Sequence, residues 1–229
     1  MAAGEFNVPR GELLIGAPIV FGRLHLLPVV VDFLRAYPEV DVRLALADRV
    51  VDLLEEHIDV AVRIGVLPDS SLKASTVGSV RNVLCASPAY FAANGHPATP
   101  QELSAHDCVS FAGPMSAAAW RFALDGAAIE VPIRARLVVN TAEAAIDAAI
   151  AGAGITRVLS YQCADALASG TLLRTLQEFD LPAIPVSLLY PAQGRMPVKL
   201  RAFIDFAAPR LRARLAATGN RFEADRDEA

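Results

Sequence analysis

Few residues in this chain have the types and spacing that chemistry needs. Ser70-Ser-Leu-Lys73 has the S-x-x-K spacing of a serine nucleophile with its lysine, yet no S-D-N or K-T-G segment follows to complete such a site. No G-x-S-x-G elbow occurs, and His25, His57, His96 and His106 show neither H-E-x-x-H nor a carboxylate spacing suited to zinc. His106-Asp-Cys108 offers two ligands, too few for a soft metal, and reads better as a loop entering a buried strand. Gly152-Ala-Gly154-Ile-Thr-Arg157 resembles the start of a dinucleotide loop, but arginine replaces the third glycine and the segment runs from helix to strand, the reverse of the required order. Cys85, Cys108 and Cys163 are odd in number and form no C-x-x-C pair, so they read as free thiols used for packing. Arg63 could pair with Asp59 or reach an anion in a cleft, and Arg157, just beyond a helix-to-strand turn, reads as a cleft residue or a solvated surface arginine. These residues give no catalytic group, no metal ligand set and no cofactor loop.

The elements that would position them alternate between strand and helix periodicity, the signature of an α/β sheet with crossover helices. Glu12–Ala17, Asp41–Ala47 and Ile58–Ile64 read as strands of a first unit. The helix after Pro18 carries an inward stripe of Leu27, Val30, Val31 and Leu34, and Asp48 stands where it would cap a helix over Arg49–Glu56. Lys73–Gly78 and Arg81–Ser87 read as further strands. After Ser87-Pro88 the elements become shorter and a second lobe begins, in which Asn140 and Glu143 have capping-box spacing for a helix from Thr141 to about Gly152. Strand Ile184–Tyr190 and helix Pro197–Leu211 follow, the helix with Leu200, Phe203, Ile204, Ala207 and Leu211 on one face. The polar tail from Ala216 reads as disordered.

Composition sets the class. The 229 residues suffice for one large domain or two small ones, and 54% hydrophobic against 20% charged residues is the profile of a packed globular chain. Mean hydropathy of +0.38 implies buried subunit surface. With 21 Lys+Arg against 25 Asp+Glu, the net charge of −4 lacks the basic footprint of a nucleic-acid binder. The opening MAAGEFNVPRG has no apolar core of a secretory signal, and Leu26–Val31, broken by Pro28, is far too short to span a bilayer, so the chain reads as cytoplasmic with no membrane span.

A family pattern then emerges from the order of several short segments. Gly11-Glu-Leu-Leu-Ile-Gly-Ala-Pro18, Leu27-Pro28 with Asp32-Phe33-Leu34, and Tyr37-Pro38 resemble the effector domain of LysR-type transcriptional regulators. So do Asp48-Arg-Val-Val-Asp-Leu-Leu54, Asp59-Val-Ala-Val-Arg-Ile-Gly65 and Asp69-Ser-Ser-Leu72. In the second lobe Ala86-Ser-Pro-Ala-Tyr90, Gly95-His-Pro97, Leu103 with His106 and Cys108, Ala151-Gly-Ala-Gly-Ile155, and Pro197 with Lys199, Arg201 and Phe203 fit as well. The resemblance implies two Rossmann-like lobes joined by a hinge, periplasmic-binding-protein-like of type II, with lobe I over residues 10–86 plus 185–211, lobe II over 87–184 and a tail over 212–229. Hinge crossings would fall near Ser87 and Ile184. It also implies a homodimer or higher oligomer, joined through the helices Gly22–Tyr37 and Thr141–Gly152. DNA would be bound only through an N-terminal helix-turn-helix that this chain lacks. A transport solute-binding protein would share the fold.

Ligands of open α/β sheets sit beyond the carboxyl ends of strands, where helix N-termini favour anions. The expected effector site therefore comprises Ala17, Pro18, Ile19, Val20, Phe21, Ala47, Ile64, Gly65, Val66, Ser87, Pro88, Asn140, Thr141, Ile155 and Thr156. Pro18, Phe21, Ile64, Val66 and Ile155 would form apolar wall, and Ser87, Asn140 and Thr141 polar contacts. The effector is expected to be a small anionic or aromatic metabolite. No catalytic residue, metal or cofactor is expected.

Overall fold

A computed structural model describes residues 8–49, 53, 56–66, 72–111, 119–192 and 196–227, with side chains to residue 219. The chain folds into two compact units, one comprising the chain up to Ser79 together with the part from Ile184 onward, the other Val80–Ala183.

The first unit is built on a sheet ordered β2-β1-β3-β12-β4, with β1 Gly11–Ala17, β2 Val40–Leu46, β3 Val60–Ile64, β4 Leu72–Val80 and β12 Ile184–Pro191. β1 runs parallel to β2 and β3, and β12 runs antiparallel to β3. The alternation in β1 puts Leu13, Ile15 and Ala17 in the core. Next come α1 (Ile19–Phe21), a π-helical segment Gly22–Leu26 and α2 (Leu27–Ala36), in one continuous run. Here the expected stripe is displaced by one residue. Leu26, Val29, Val30 and Phe33 are buried, whereas Leu27 and Val31 are exposed. Pro28 lacks the N–H of a regular turn, and the wider i→i+5 turn before it, with Leu27 N–H donating to Gly22 O, shifts the inward face. At Gly22 a Cβ would stand 2.2 Å from Leu46 Cδ2, so a larger residue there would have to displace that leucine side chain.

Helix α6 spans Val198–Asp227 and buries Leu200, Phe203, Ile204, Ala207 and Leu211, the face expected. It does not stop at Leu211. The segment 212–229, expected as a tail, is helical to Asp227 because it is anchored. Leu215 is buried against Gly78 of β4, Arg212 donates to Thr76 O, and Arg214 donates to Leu24 O at 2.9 Å.

The second unit carries a sheet ordered β11-β5-β10-β6-β9, with β5 Asn82–Ala86, β6 Asp107–Phe111, β9 Arg134–Val139, β10 Ile155–Leu159 and β11 Leu173–Thr175. A hairpin of β7 (Ala119–Leu124) and β8 (Ala127–Pro132) turns at Asp125-Gly126, both at positive φ as a type I′ turn requires. The helices are α3 (Pro88–Asn94), α4 (Ala142–Ile150) and α5 (Ser160–Ala168). The core gathers Leu84, Tyr90, Phe91, Leu103, Trp120, Phe122 and Ile155. β5, assigned from sequence to lobe I, belongs here. It pairs antiparallel with β10 and β11, a partnership that its apolar run alone cannot reveal. Likewise the unit changes fall after Ser79 and Ala183, not at Ser87.

Candidate functional site

In the first unit the parallel strands β1, β2 and β3 end at one edge, which brings Ala17, Pro18, Ile19, Ala47, Ile64, Gly65 and Val66 to a common rim. Ala47 N–H donates to Ala17 O at 3.0 Å, and Gly65 N–H donates to Pro185 O at 3.0 Å. Val66 is 84% exposed. Val20 and Phe21 were expected on this rim, but both point into the core, at 2% and 0% exposure, because the first helical turn folds straight back onto the sheet. The helix N-terminus here is already served by the protein itself. Asp48 does not start a helix of its own within the described residues; its Oδ1 accepts the Ile19 N–H at 3.0 Å. A carboxylate from the β2 end thus occupies the position where the sequence placed a ligand anion. The helix over Arg49–Glu56 lies largely outside the described residues.

In the second unit the predicted residues divide between opposite edges. β6, β9 and β10 run parallel, so Phe111, Asn140 and Leu159 share the carboxyl-end edge. β5 runs against them, and its register pairs Cys85 with Thr156, so Ser87 and Pro88 lie at the other edge beside the start of β10. The reversed direction of β5 is the reason the expectation for Ser87 and Pro88 does not hold: the end of an antiparallel strand is not the ligand edge. Ser87 caps α3, accepting the Tyr90 N–H at 3.3 Å. Ile155 and Thr156 are both 0% exposed, and Thr156 Oγ1 donates to Val109 O at 3.0 Å. Neither presents a side chain to a ligand.

At the carboxyl-end edge Thr141, not Asn140, is the N-cap of α4; its Oγ1 accepts the Ala144 N–H at 3.3 Å. Asn140 is exposed and makes no side-chain hydrogen bond among the described residues. Two features of this edge were missed from sequence. Ser160 opens α5, and its Oγ accepts the Arg81 N–H at 3.2 Å while its own N–H donates to Arg81 O at 2.8 Å. Ser110, one residue before the end of β6, is 1% exposed with its hydroxyl unpartnered.

Other expectations resolve as structure. Gly154 packs against β6 so tightly that a Cβ would stand 2.3 Å from Asp107 O, so the Gly152–Gly154 pattern serves a close backbone approach. Asp59 Oδ2 accepts the Leu14 N–H at 2.9 Å, and no ion pair joins Asp59 to Arg63 among the described residues. The three cysteines are free and buried. Burial raises the Cys108 thiol to about 12, and a hydrogen bond with Cys163 together with burial raises Cys85, so neither thiol is poised as a nucleophile. His106 Nδ1 meets the Tyr90 hydroxyl at 3.2 Å. Among the described residues no cluster of three or more His, Cys, Asp or Glu is placed to hold a metal. No helix among them is long and apolar enough to cross a membrane. A groove of about 340 Å³ lined by Thr76, Gly78, Arg212 and Leu215 lies between β4 and α6.

Comparison with known proteins agrees with this architecture. Residues 6–212 match the LysR substrate binding domain. The probable transcriptional regulator LtrA of Klebsiella pneumoniae is 32% identical over 208 residues, covering 90% of this chain and 67% of that protein. The transcriptional regulator PtxR of Pseudomonas aeruginosa is 34% identical, covering 86% of this chain and 63% of its own. The chain therefore spans about two thirds of the length of these relatives. Among solved structures, the regulatory domain of CrgA from Neisseria meningitidis superposes with a TM-score of 0.77 at 26% identity, covering 89% of this chain and 100% of that one. With the type II periplasmic-binding-protein-like fold and a match along nearly its whole length, this chain belongs to the LysR substrate-binding domain family, the effector-binding regulatory domain of LysR-type transcriptional regulators.

Proposed function

We propose that this chain binds a small-molecule effector at strand-end residues and, within a longer cytoplasmic regulator, couples that binding to transcription through a separate DNA-binding segment. The match to the substrate-binding family along residues 6–212 carries the reading. Each unit offers its own proposed contacts: Pro18, Ile19, Ala47, Ile64, Gly65 and Val66 at the strand ends of the first, and Asn140, Thr141 and Ser160 at the strand ends of the second. Asn140 supports this choice: it is polar and exposed, stands at the N-terminus of α4, and its side chain is not consumed by capping. The anionic preference is proposed for the α4 end, because at the α1 end Asp48 would repel a second negative charge. The reading includes no catalytic step.

We also propose self-association. Leu27 and Val31 on α2 and Ile150 on α4 are between 38% and 43% exposed and fall in the two helices expected for the dimer, and Leu137 and Val138 on β9, outside those helices, are 39% and 48% exposed. Ala145 and Ala149 on α4 are fully buried, so the inward face of that helix is not available for such a contact.

A thermal-shift screen of small carboxylates, sulfonates and aromatics tests the effector reading. A stabilising compound should lose affinity in Asn140→Ala, by roughly 0.5–1.5 kcal/mol for one neutral hydrogen bond. Ser87→Ala should leave affinity unchanged. The opposite ranking would place the site at the wrong edge.

A further inference from the structure

Arg81 is the one residue between β4, which ends at Val80, and β5, which begins at Asn82, and the chain passes from the first unit into the second here, after Ser79. The antiparallel pairing of β5 with β10 runs out to Asn82 and Leu159, so the next pair is Arg81 with Ser160. In a hydrogen-bonded antiparallel pair each residue donates its N–H to the other's carbonyl. Ser160 N–H does donate to Arg81 O, at 2.8 Å. The return bond differs, because Ser160 is also the first residue of α5 and its carbonyl turns with the helix, where it accepts from Cys163 Sγ at 3.7 Å. Arg81 N–H donates instead to Ser160 Oγ at 3.2 Å. A rotatable side chain, in place of fixed backbone, thus closes the pair at the point where the chain changes unit. Ser160 is 8% exposed, and no acceptor for its O–H occurs among the described residues, although a serine hydroxyl can donate while it accepts. The adjoining amide at this helix end is already served, since Leu159 N–H donates to Gln162 Oε1 at 2.7 Å.

We propose that Ser160 is a positioning residue that relays effector binding to the crossing at Arg81: a carboxylate at the strand-end edge of the second unit accepts the Ser160 O–H, while Ser160 Oγ keeps accepting the Arg81 N–H. A hydroxyl that donates becomes a better acceptor, so the two bonds strengthen each other. The bound acid then ties Arg81 more firmly to the start of α5. This inference rests on the strand-end reading, which counts Ser160 among the contacts of the second unit.

Amide hydrogen exchange of the full labelled chain, followed by NMR with and without benzoate as the probe carboxylate, tests it, with chloride holding ionic strength constant. Without benzoate, Ser160→Ala should speed exchange at Arg81 roughly two- to tenfold, the range for one neutral hydrogen bond, and leave Leu84 unchanged. With benzoate, exchange at Arg81 should slow in the parent and in Gln162→Ala, which loses a different bond at the same helix end, but not in Ser160→Ala. Amide shifts at Asn140 and Thr141 report occupancy separately in each protein. An unchanged Arg81 rate in benzoate-free Ser160→Ala would overturn the proposal. So would occupancy that leaves the parent's Arg81 rate unaltered, or that slows it equally in Ser160→Ala; in both cases the strand-end reading survives. If benzoate shifts neither Asn140 nor Thr141, the carboxylate reading of this edge falls and the relay falls with it.

Discussion

Stability should fall as the pH is lowered through the range in which His25 would take up a proton. His25 sits on the π-helical segment at 6% exposure, its ring 5.0 Å from that of Phe21. Burial first, and then the charge of Arg214, lower its pKa from 6.5 to about 4. Between those values the unfolded chain holds a proton that the folded chain refuses, so unfolding free energy rises with pH across this window. The contribution is complete above about pH 6.5 and is lost as pH falls toward 4. At about 1.36 kcal/mol per pH unit the window is worth at most about 3.4 kcal/mol. Urea unfolding at pH 7.5 and 4.5, at constant ionic strength, measures it. Carboxylates titrate in the same range, so the informative quantity is the difference between the parent and His25→Gln. The parent should lose about 2 kcal/mol more than the variant on acidification. Arg214→Gln should recover part of that loss, since it removes the second cause. Equal acid sensitivity in parent and His25→Gln would refute the reasoning, whatever constant offset the substitution introduces.

Further outcomes follow from other contacts. Asp48→Ala removes the carboxylate on Ile19 N–H and should destabilise by about 1 kcal/mol, the usual cost of a lost N-cap, while raising affinity for anions at that helix end; urea unfolding and calorimetry read the two effects. Gly154→Ala meets both a backbone oxygen and a φ of +148°, so it should cost more than about 3 kcal/mol or prevent folding, as thermal unfolding would show. Val31→Glu or Ile150→Glu should lower the sedimentation coefficient at tens of micromolar if the chain self-associates through these faces, and a parent that sediments as a monomer would remove that proposal. Ser87→Ala should cost about 1 kcal/mol through its lost cap on α3 without altering effector affinity.

Periodicity read most of the elements, because each buries one face. The stripe of α6 is the clearest case, with Leu200 to Leu211 buried as spaced. Long-range pairing was not legible. Nothing in Asn82–Ala86 says that it runs against β10, and that one direction moves Ser87 to the far edge of its sheet. The register slip in α2 came from Pro28, whose presence is visible in sequence while the π turn it favours is not. The ends of the parallel strands were legible, at Ala17, Ala47, Ile64 and Asn140. Side-chain direction was not legible where a residue near a strand end points inward, as Phe21 and Ile155 do. Asp48 was recognised as a capping residue, but the helix that receives it is encoded 29 residues earlier, beyond the reach of any local signal.

The central claim is that this chain holds a small molecule at the carboxyl ends of its parallel strands. Backbone amide NMR of the labelled chain, titrated with the compound that stabilises it most in the thermal-shift screen, tests this most directly. Saturable shifts should fall on strand-end residues, Ile19, Ala47 and Gly65 in the first unit or Asn140, Thr141 and Ser160 in the second, and those of the second unit should weaken in Asn140→Ala. Shifts confined to the α3 end around Ser87, or to the groove beside Arg212 and Leu215, would contradict the account.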